Sequence, residues 1–422
     1  MQKSNLRAMQ ENHVDQGRLQ IQVRSAARAV PVEAAQISIS YTGDPESTVE
    51  QITTNANGQS DTVELAAPPL EYSMDPTGPQ PYAEYTLRIT APGYEPVTIS
   101  GAEILPEATA LQDVRMNPLA QPEQYQNIVI PAHTLYGDYP PKIAEAEIKP
   151  VSQTGEIVLS RVVIPEFIVV HDGSPMDSTA TDYYIRYRDY IKNVASSEIY
   201  ATWPKATIIA NVLAIMSFTL NRVYTEWYRN KGFDFTITSS TAFDHKWIYG
   251  RNVFESISEA VDEVFESYLS RPNVKQPILT QYCDGQRVTC PNWLSQWGSK
   301  SLGDQGYTPI QILRHYYGSS IYINTAEEIA GIPLSWPGFD LDIGSTGDKV
   351  EQIQDQLNAI SEDYPLLPKI PVDGIYGERT QDAVQIFQEI FGLPETGIID
   401  YRTWYRIQEI YVAVTRIAEL NP

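Results

Sequence analysis

Between about residues 16 and 117, apolar and polar positions alternate in short runs. Leu19, Ile21 and Val23 are separated by polar neighbours, and the same period returns in Ile37-Ser38-Ile39 and in Tyr85-Thr86-Leu87-Arg88-Ile89. A period of two belongs to strands that bury one face. Gly43-Asp44-Pro45, Asn55-Ala56-Asn57-Gly58 and Ala91-Pro92-Gly93-Tyr94 separate the runs with residues that favour tight turns. Together they predict a small antiparallel β-sandwich. Residues 118–127 (PLAQPEQYQN) carry two prolines, three glutamines and no apolar period, which predicts an exposed connection between domains.

The pattern then changes. Strand-like runs at 157–159, 162–164 and 167–170 lead into a tyrosine-rich stretch at 183–190. Ile209, Leu213, Met216, Leu220, Val223 and Trp227 follow three or four apart, the spacing of one apolar helix face. Pro204 suits its first turn, where a missing N–H leaves no carbonyl unpaired. A second amphipathic helix is expected over Val253–Leu269, stopped by Arg271-Pro272. Near the C-terminus, helical patterns at Val350–Ile360 and Arg379–Phe391 flank the turn Val372–Gly377, and a third begins near Tyr401. The expected fold class is therefore multidomain: an all-β sandwich (1–120), a central α+β domain (128–335) and a three-helix unit (340–415).

Length and charge narrow the function. At 422 residues, two to four domains are expected. The 30 basic and 53 acidic side chains leave a net charge of −23, which repels phosphate backbones and anionic lipid, so no nucleic acid and no membrane partner is expected. The longest apolar run, Thr207–Leu220, is shorter than the roughly 20 residues that span a bilayer and contains Asn211 and Ser217. The first twenty residues lack the apolar stretch of a Sec signal. Signatures of zinc proteases (HExxH), α/β-hydrolases (GxSxG), P-loop enzymes and dinucleotide binders are missing. Five scattered histidines suggest no metal pair, and neither a metal nor another cofactor is expected. Cys283 and Cys290 read as a hairpin clip, a reduced pair or, with His245, part of a zinc site.

The C-terminal spacing is the most specific. Gly344-Ser345-x-Gly347-x-x-Val350-x-x-Ile353-Gln354-x-x-Leu357, Val372-Asp373-Gly374-x-Tyr376-Gly377-x-x-Thr380-x-x-Ala383-Val384-x-x-Phe387-Gln388 and Gly397-x-x-Asp400-x-x-Thr403-Trp404 resemble the three-helix peptidoglycan-binding domain along its whole length. The apolar positions are expected in its core. Asp373, Tyr376, Arg379 and Thr380, near the turn, are the expected peptidoglycan contacts. The N-terminal sandwich resembles carboxypeptidase regulatory and transthyretin-like modules, which implies no chemistry.

Glu198 is the candidate for chemistry. By itself, the run Asn193–Pro204 places one carboxylate after an apolar stretch and just ahead of a helix, where acids are favoured for electrostatic reasons alone. The string Glu198-Ile-Tyr-Ala-Thr-Trp203-Pro204, with Ala210–Ala214 and Ser217-Phe218, resembles the stage II sporulation protein D family, departing from it at Asn211 and Met216. That resemblance implies that Glu198 is the acid of a lytic transglycosylase. Ser217–Tyr228, Thr236–Thr241, Tyr249–Asn252, Gln281–Gly285 and Cys290–Gly298 are similar to the SleC family of clostridial spore cortex-lytic enzymes, over essentially the full chain. It implies action on spore cortex peptidoglycan during germination, an activating protease and synthesis in the mother cell. Tyr249, Arg251, Tyr282, Asp284, Trp293, Gln296 and Trp297 are the expected substrate-binding residues.

One glutamate suffices for such chemistry, because the substrate supplies the nucleophile, whereas ordinary glycosidases need two carboxylates. As an acid, Glu198 is expected to lie among apolar groups such as Ile199 and Trp203 that favour its protonated form. The sandwich is expected to cover the groove and hold the enzyme idle until a cut within about 118–128. The alternatives are an N-acetylmuramoyl-L-alanine amidase and a non-catalytic spore-wall binding protein.

Overall fold

The computed structural model describes residues 14–26, 30–119, 125–150, 162–326, 328–329 and 339–415. The strands of the first region are β1 (Asp15–Ser25), β2 (Gln36–Tyr41), β3 (Asp44–Thr53), β4 (Val63–Ala67), β5 (Ala83–Thr90), β6 (Val97–Ile104), β7 (Thr109–Met116) and β8 (Gln126–Val129). One sheet runs β3-β2-β5-β6-β8, and the other holds β7-β1-β4. Ile37 pairs with Ile89 and Ile39 with Leu87, so the alternate residues of neighbouring strands share one face. Leu19, Ile21, Val23, Ile37, Ile39, Leu87 and Ile89 are all at most 1% exposed, as the period of two demands. The pairing is not wholly antiparallel: β1 runs parallel to β7, and β6 parallel to β8. Because β8 belongs to this sheet, a boundary at residue 128 cuts through a strand. Residues 120–124 and the expected run at 157–159 lie outside the described residues.

The central region contributes β9 (Val163–Ile164), β10 (Phe167–His171), β11 (Asp182–Arg186), α1 (Tyr187–Glu198), α2 (Lys205–Tyr224), β12 (Ile237–Thr238), β13 (Val253–Phe254), α3 (Glu255–Glu263) and β14 (Ser267–Ser270). It continues with β15 (Tyr282–Cys283), β16 (Leu294–Ser295), α4 (Gln296–Asp304), α5 (Pro309–Tyr317), β17 (Tyr322–Thr325) and β18 (Glu328–Ile329). α2 is the axis of this region. It is long and apolar enough to cross a membrane by length and composition, yet 89% of that stretch is buried inside the protein. Its helical face stops at Tyr224 rather than Trp227, just before Glu226 turns to a left-handed φ of 46°. The single helix expected over 253–269 is divided. Val253–Phe254 and Ser267–Ser270 are strands around a nine-residue helix, because β14 finds a partner in β17 that local spacing could not disclose.

The first two regions are fused. β13 adds to the edge of β7, so a piece of the central region completes the sandwich's four-stranded sheet. One apolar core runs without a break from Leu19 to Ile321 through both. Polar groups lock the seam: Arg251 forms a bidentate pair with Glu103 at 3.1 and 2.6 Å, and the Asn252 amide bonds both backbone groups of Glu103. Trp203 donates its indole N–H to the Ser73 carbonyl at 3.0 Å.

α6 (Asp348–Ile360), α7 (Glu378–Ile390) and α8 (Tyr401–Thr415) form the last unit. Its core is separate and holds Val350, Leu357, Ala383, Val384, Phe387 and Trp404. It meets the rest through both packing and charge: Tyr401 of α8 packs against the large core, the Leu366 N–H donates to Asn57 of the sandwich at 3.3 Å, Arg406 and Glu409 pair on α8 at 2.9 Å, and Glu409 reaches Arg188 of α1 at 4.0 Å.

Candidate functional site

Glu198 is the last residue of α1, followed by a tight turn and then α2. It does precede a helix, as expected, but it also closes α1, at the end of that helix's macrodipole that does not favour an anion. Only 4% of it is exposed, and it faces a cavity of about 480 Å³. Two N–H donors and a hydroxyl, whose own proton goes to the Ser197 carbonyl at 2.6 Å, meet its carboxylate. The Lys246 backbone N–H donates to Oε1 at 2.9 Å, while the Gln296 amide and the Thr134 hydroxyl each lie 3.3 Å from Oε2. Gln296 also donates to the Glu198 carbonyl at 2.8 Å, which ties the start of α4 to the end of α1. The apolar surroundings expected from Ile199 and Trp203 are replaced by this polar shell.

The opposite wall is a loop between the parallel strands β15 and β16, closed by a Cys283–Cys290 disulfide, so neither sulfur is a zinc ligand. Gly285 stands at φ 77°, where an added Cβ would lie 1.8 Å from the Ser295 hydroxyl; only glycine fits. Asp284 shapes this wall by accepting the N–H groups of Gln286, Arg287 and Val288. Tyr282 lies at the floor, its hydroxyl pKa pushed well above the usual range by burial and by the Glu198 charge. Burial lowers the Lys142 pKa, opposed by Glu198 and Asp244, and its ammonium lies 4.5 Å from the centre of the Tyr282 ring. Tyr139 is pushed up to about 12 by burial, with Glu103 and Glu198 adding to it.

Thr134, Gly137, Asp138, Tyr139, Pro140, Pro141 and Lys142 line this cavity together with Glu198. They come from the segment leaving β8, which crosses the cleft as a strap. Arg287 of the disulfide loop donates to the carbonyls of Thr134, Tyr136 and Gly137. Lys142 donates to the Asp244 carbonyl, and Glu145 pairs with the buried Arg222 at 2.6 Å. The sequence pointed to none of Thr134, Tyr139, Lys142, Lys246 or Arg287. They are ordinary residues far apart in the chain, and only their juxtaposition is informative.

The expected substrate-binding residues separate into two groups. Tyr282, Asp284 and Gln296 line the cleft. Arg251 does not serve a substrate, since its guanidinium is buried against Glu103 and the Ser196 carbonyl. Trp297 is also a core residue, packed 4.9 Å from Trp203 and 6.1 Å from Tyr200. Trp293 is half-buried and Tyr249 partly exposed, both outside the cavity lining. In the C-terminal unit, Tyr376 is buried with its hydroxyl on the Gly397 carbonyl, and Thr380 is buried against Gln354, so both are structural. Asp373 and Arg379 are exposed. Ile375, 55% exposed at the same turn, was missed because apolar residues there read as core.

Residues 346–407 match the family model of the peptidoglycan binding domain. This peptidoglycan-binding domain coincides with α6, α7 and the first half of α8, and it supports peptidoglycan as a partner of the chain. No curated protein matches the chain. Among solved structures, the SleB N-terminal domain is 27% identical over 18% of this chain and 99% of that one, with a TM-score of 0.16. The Bacillus anthracis TIE protein is 13% identical over 25% of this chain and 17% of that one (TM-score 0.18). Catechol 1,2-dioxygenase from Acinetobacter sp. ADP1 is 14% identical over 28% of this chain and 60% of that one (TM-score 0.19). Scores this low say nothing of function.

Proposed function

We propose that the protein is a lytic transglycosylase of spore cortex peptidoglycan, with Glu198 as its acid and base. The observation that carries this reading is a single buried carboxylate at the end of a cleft, in a chain that also carries a peptidoglycan-binding domain. The resemblance of Glu198–Phe218 to the stage II sporulation protein D family supports it. A two-carboxylate hydrolase is less favoured, because of the other carboxylates lining the cleft Asp284 is engaged by donors of its own loop and Asp138 belongs to the strap.

In the proposed reaction, protonated Glu198 gives its proton to the glycosidic oxygen between N-acetylmuramic acid and N-acetylglucosamine as that C–O bond breaks. The resulting carboxylate takes the proton of the muramyl C6 hydroxyl, whose oxygen closes a 1,6-anhydro ring. Glu198 ends as it began. Gln296 and the Lys246 N–H hold the carboxyl group in orientation throughout. Thr134 belongs to the strap and leaves with it.

The protein is made as a latent form in the mother cell and acts on the cortex at germination. In this reading the strap, rather than the sandwich itself, keeps substrate from Glu198. A protease cut within 118–128 gives the strap a free end, while the fused sandwich stays in place.

Mass spectrometry of muropeptides released from spore cortex tests the whole reading. Anhydro-muramyl ends are expected from the cut protein, with little release by the intact chain. The Glu198→Gln protein should lose a hundredfold or more of the activity, on the order expected for a general acid. Reducing ends or free peptides would replace the reading with a hydrolase or an amidase.

A further inference from the structure

Beyond the cleft, three aromatic rings pack as a triangle, with Trp247 and Tyr249 edge to face at 6.2 Å. Trp247 is buried, Tyr183 packs on it with ring centres 5.2 Å apart, and Tyr249 stacks on Tyr183 at 4.9 Å with planes 26° apart. The outer ring, Tyr249, remains 37% exposed. Two routes tie this stack to Glu198. Along the backbone, the Lys246 N–H is bonded to Glu198 and Tyr249 lies three residues on, at most about 11 Å away along an extended chain. Through space, the Lys246 side chain feels both Glu198 and Asp172, and Asp172 in turn acts on Tyr183.

We propose that Tyr183 and Tyr249, seated on Trp247, form a sugar-stacking subsite that continues the Glu198 cleft along the glycan strand. The proposal rests on the reading of that cleft as a glycan site. A pyranose ring presents an apolar face of C–H groups and a rim of hydroxyls. The stack offers the matching pair, an aromatic face with the phenol groups at its rim and the Gln126 amide 3.4 Å from the Tyr249 hydroxyl. The occupant is a glycan strand because the same chain binds that polymer through its peptidoglycan-binding domain. At this reach, the subsite holds a sugar one or two units from the bond that is cut. Since the stack lies outside the cavity that the strap lines, it is open in the latent protein as well.

The test is hydrogen exchange on the full-length Glu198→Gln protein, with and without soluble glycan strands stripped of stem peptides. The amides of residues 245–250 are expected to exchange more slowly with glycan. That protection should disappear in Tyr183→Ala and Tyr249→Ala and persist in Tyr249→Phe. The apparent affinity of this segment should fall about threefold to tenfold in the alanine variants, in line with one lost ring contact. Protection of residues 346–407 without protection of 245–250 overturns the proposal. Protection at 245–250, together with a cut wild-type protein that releases no anhydro ends, would retain the glycan subsite and overturn only the proposed chemistry.

Discussion

The peptidoglycan-binding domain and the N-terminal sandwich are both attached to the central region, but in opposite ways. The former has its own core and touches its neighbours at a few side chains, among them Tyr401, Glu409 and Leu366, with no shared strand among the described residues. The latter shares a core, a sheet and a buried ion pair with it. A module that closes its own core can be moved, copied or removed without harm, whereas a module that borrows a strand cannot. The sandwich is therefore part of the central region's framework, and the latency proposed above does not require that it depart.

The largest effect should come from removing it. A chain beginning at Ile128 lacks β7, Glu103 and Ser73, and it uncovers a broad apolar face. It is expected to be insoluble or to lack a cooperative melt, whereas residues 340–415 alone should fold and sediment with insoluble peptidoglycan. Circular dichroism and thermal unfolding decide this, and a soluble, cooperatively melting 128–422 fragment would erase the contrast. For the same reason, the two pieces of a chain cut within 118–128 should elute together in gel filtration.

Glu103→Ala sharpens the comparison with one side chain. Both partners of the pair are at most 1% exposed, so the change strands a buried guanidinium and should cost about 3–5 kcal/mol in urea unfolding. Adding Arg251→Met should recover much of the loss. An exposed pair would show neither effect.

Arg406→Ala probes the other junction. It removes the partner of Glu409 on the docking face of α8 and should cost about 1–2 kcal/mol at that contact. The expected readout is a larger radius of gyration in X-ray scattering, as the peptidoglycan-binding domain swings away, with the melt of the remaining chain unchanged. A drop in that melt comparable to the Glu103→Ala loss would show that this unit, too, is part of the framework.

The same contrast explains what the sequence disclosed. The three helices of the peptidoglycan-binding domain and the alternating strands of the sandwich were legible because each element writes its buried face into its own local period, whatever its partner. Glu198 was legible only through its resemblance to a family, since its composition and spacing also suit a carboxylate ahead of a helix. Arg251 was misjudged for a physical reason: a charged residue beside aromatics reads as a ligand contact until Glu103, from another region, is seen to bury it. The strap escaped notice because Thr134, Tyr139 and Lys142 have no pattern of their own.

The strand exchange at β13 also bears on how the chain is made. Glu103 and Arg251 are 148 residues apart. At about 5–20 residues added per second, the ribosome needs roughly 7–30 s between them. During that interval the edge of β7 has no neighbour, and an unpaired strand edge is a template for association with other chains. Synthesis is therefore the stage at which this protein is most exposed to aggregation, and slowing translation between the two segments should reduce its soluble yield even though the finished molecule is unchanged.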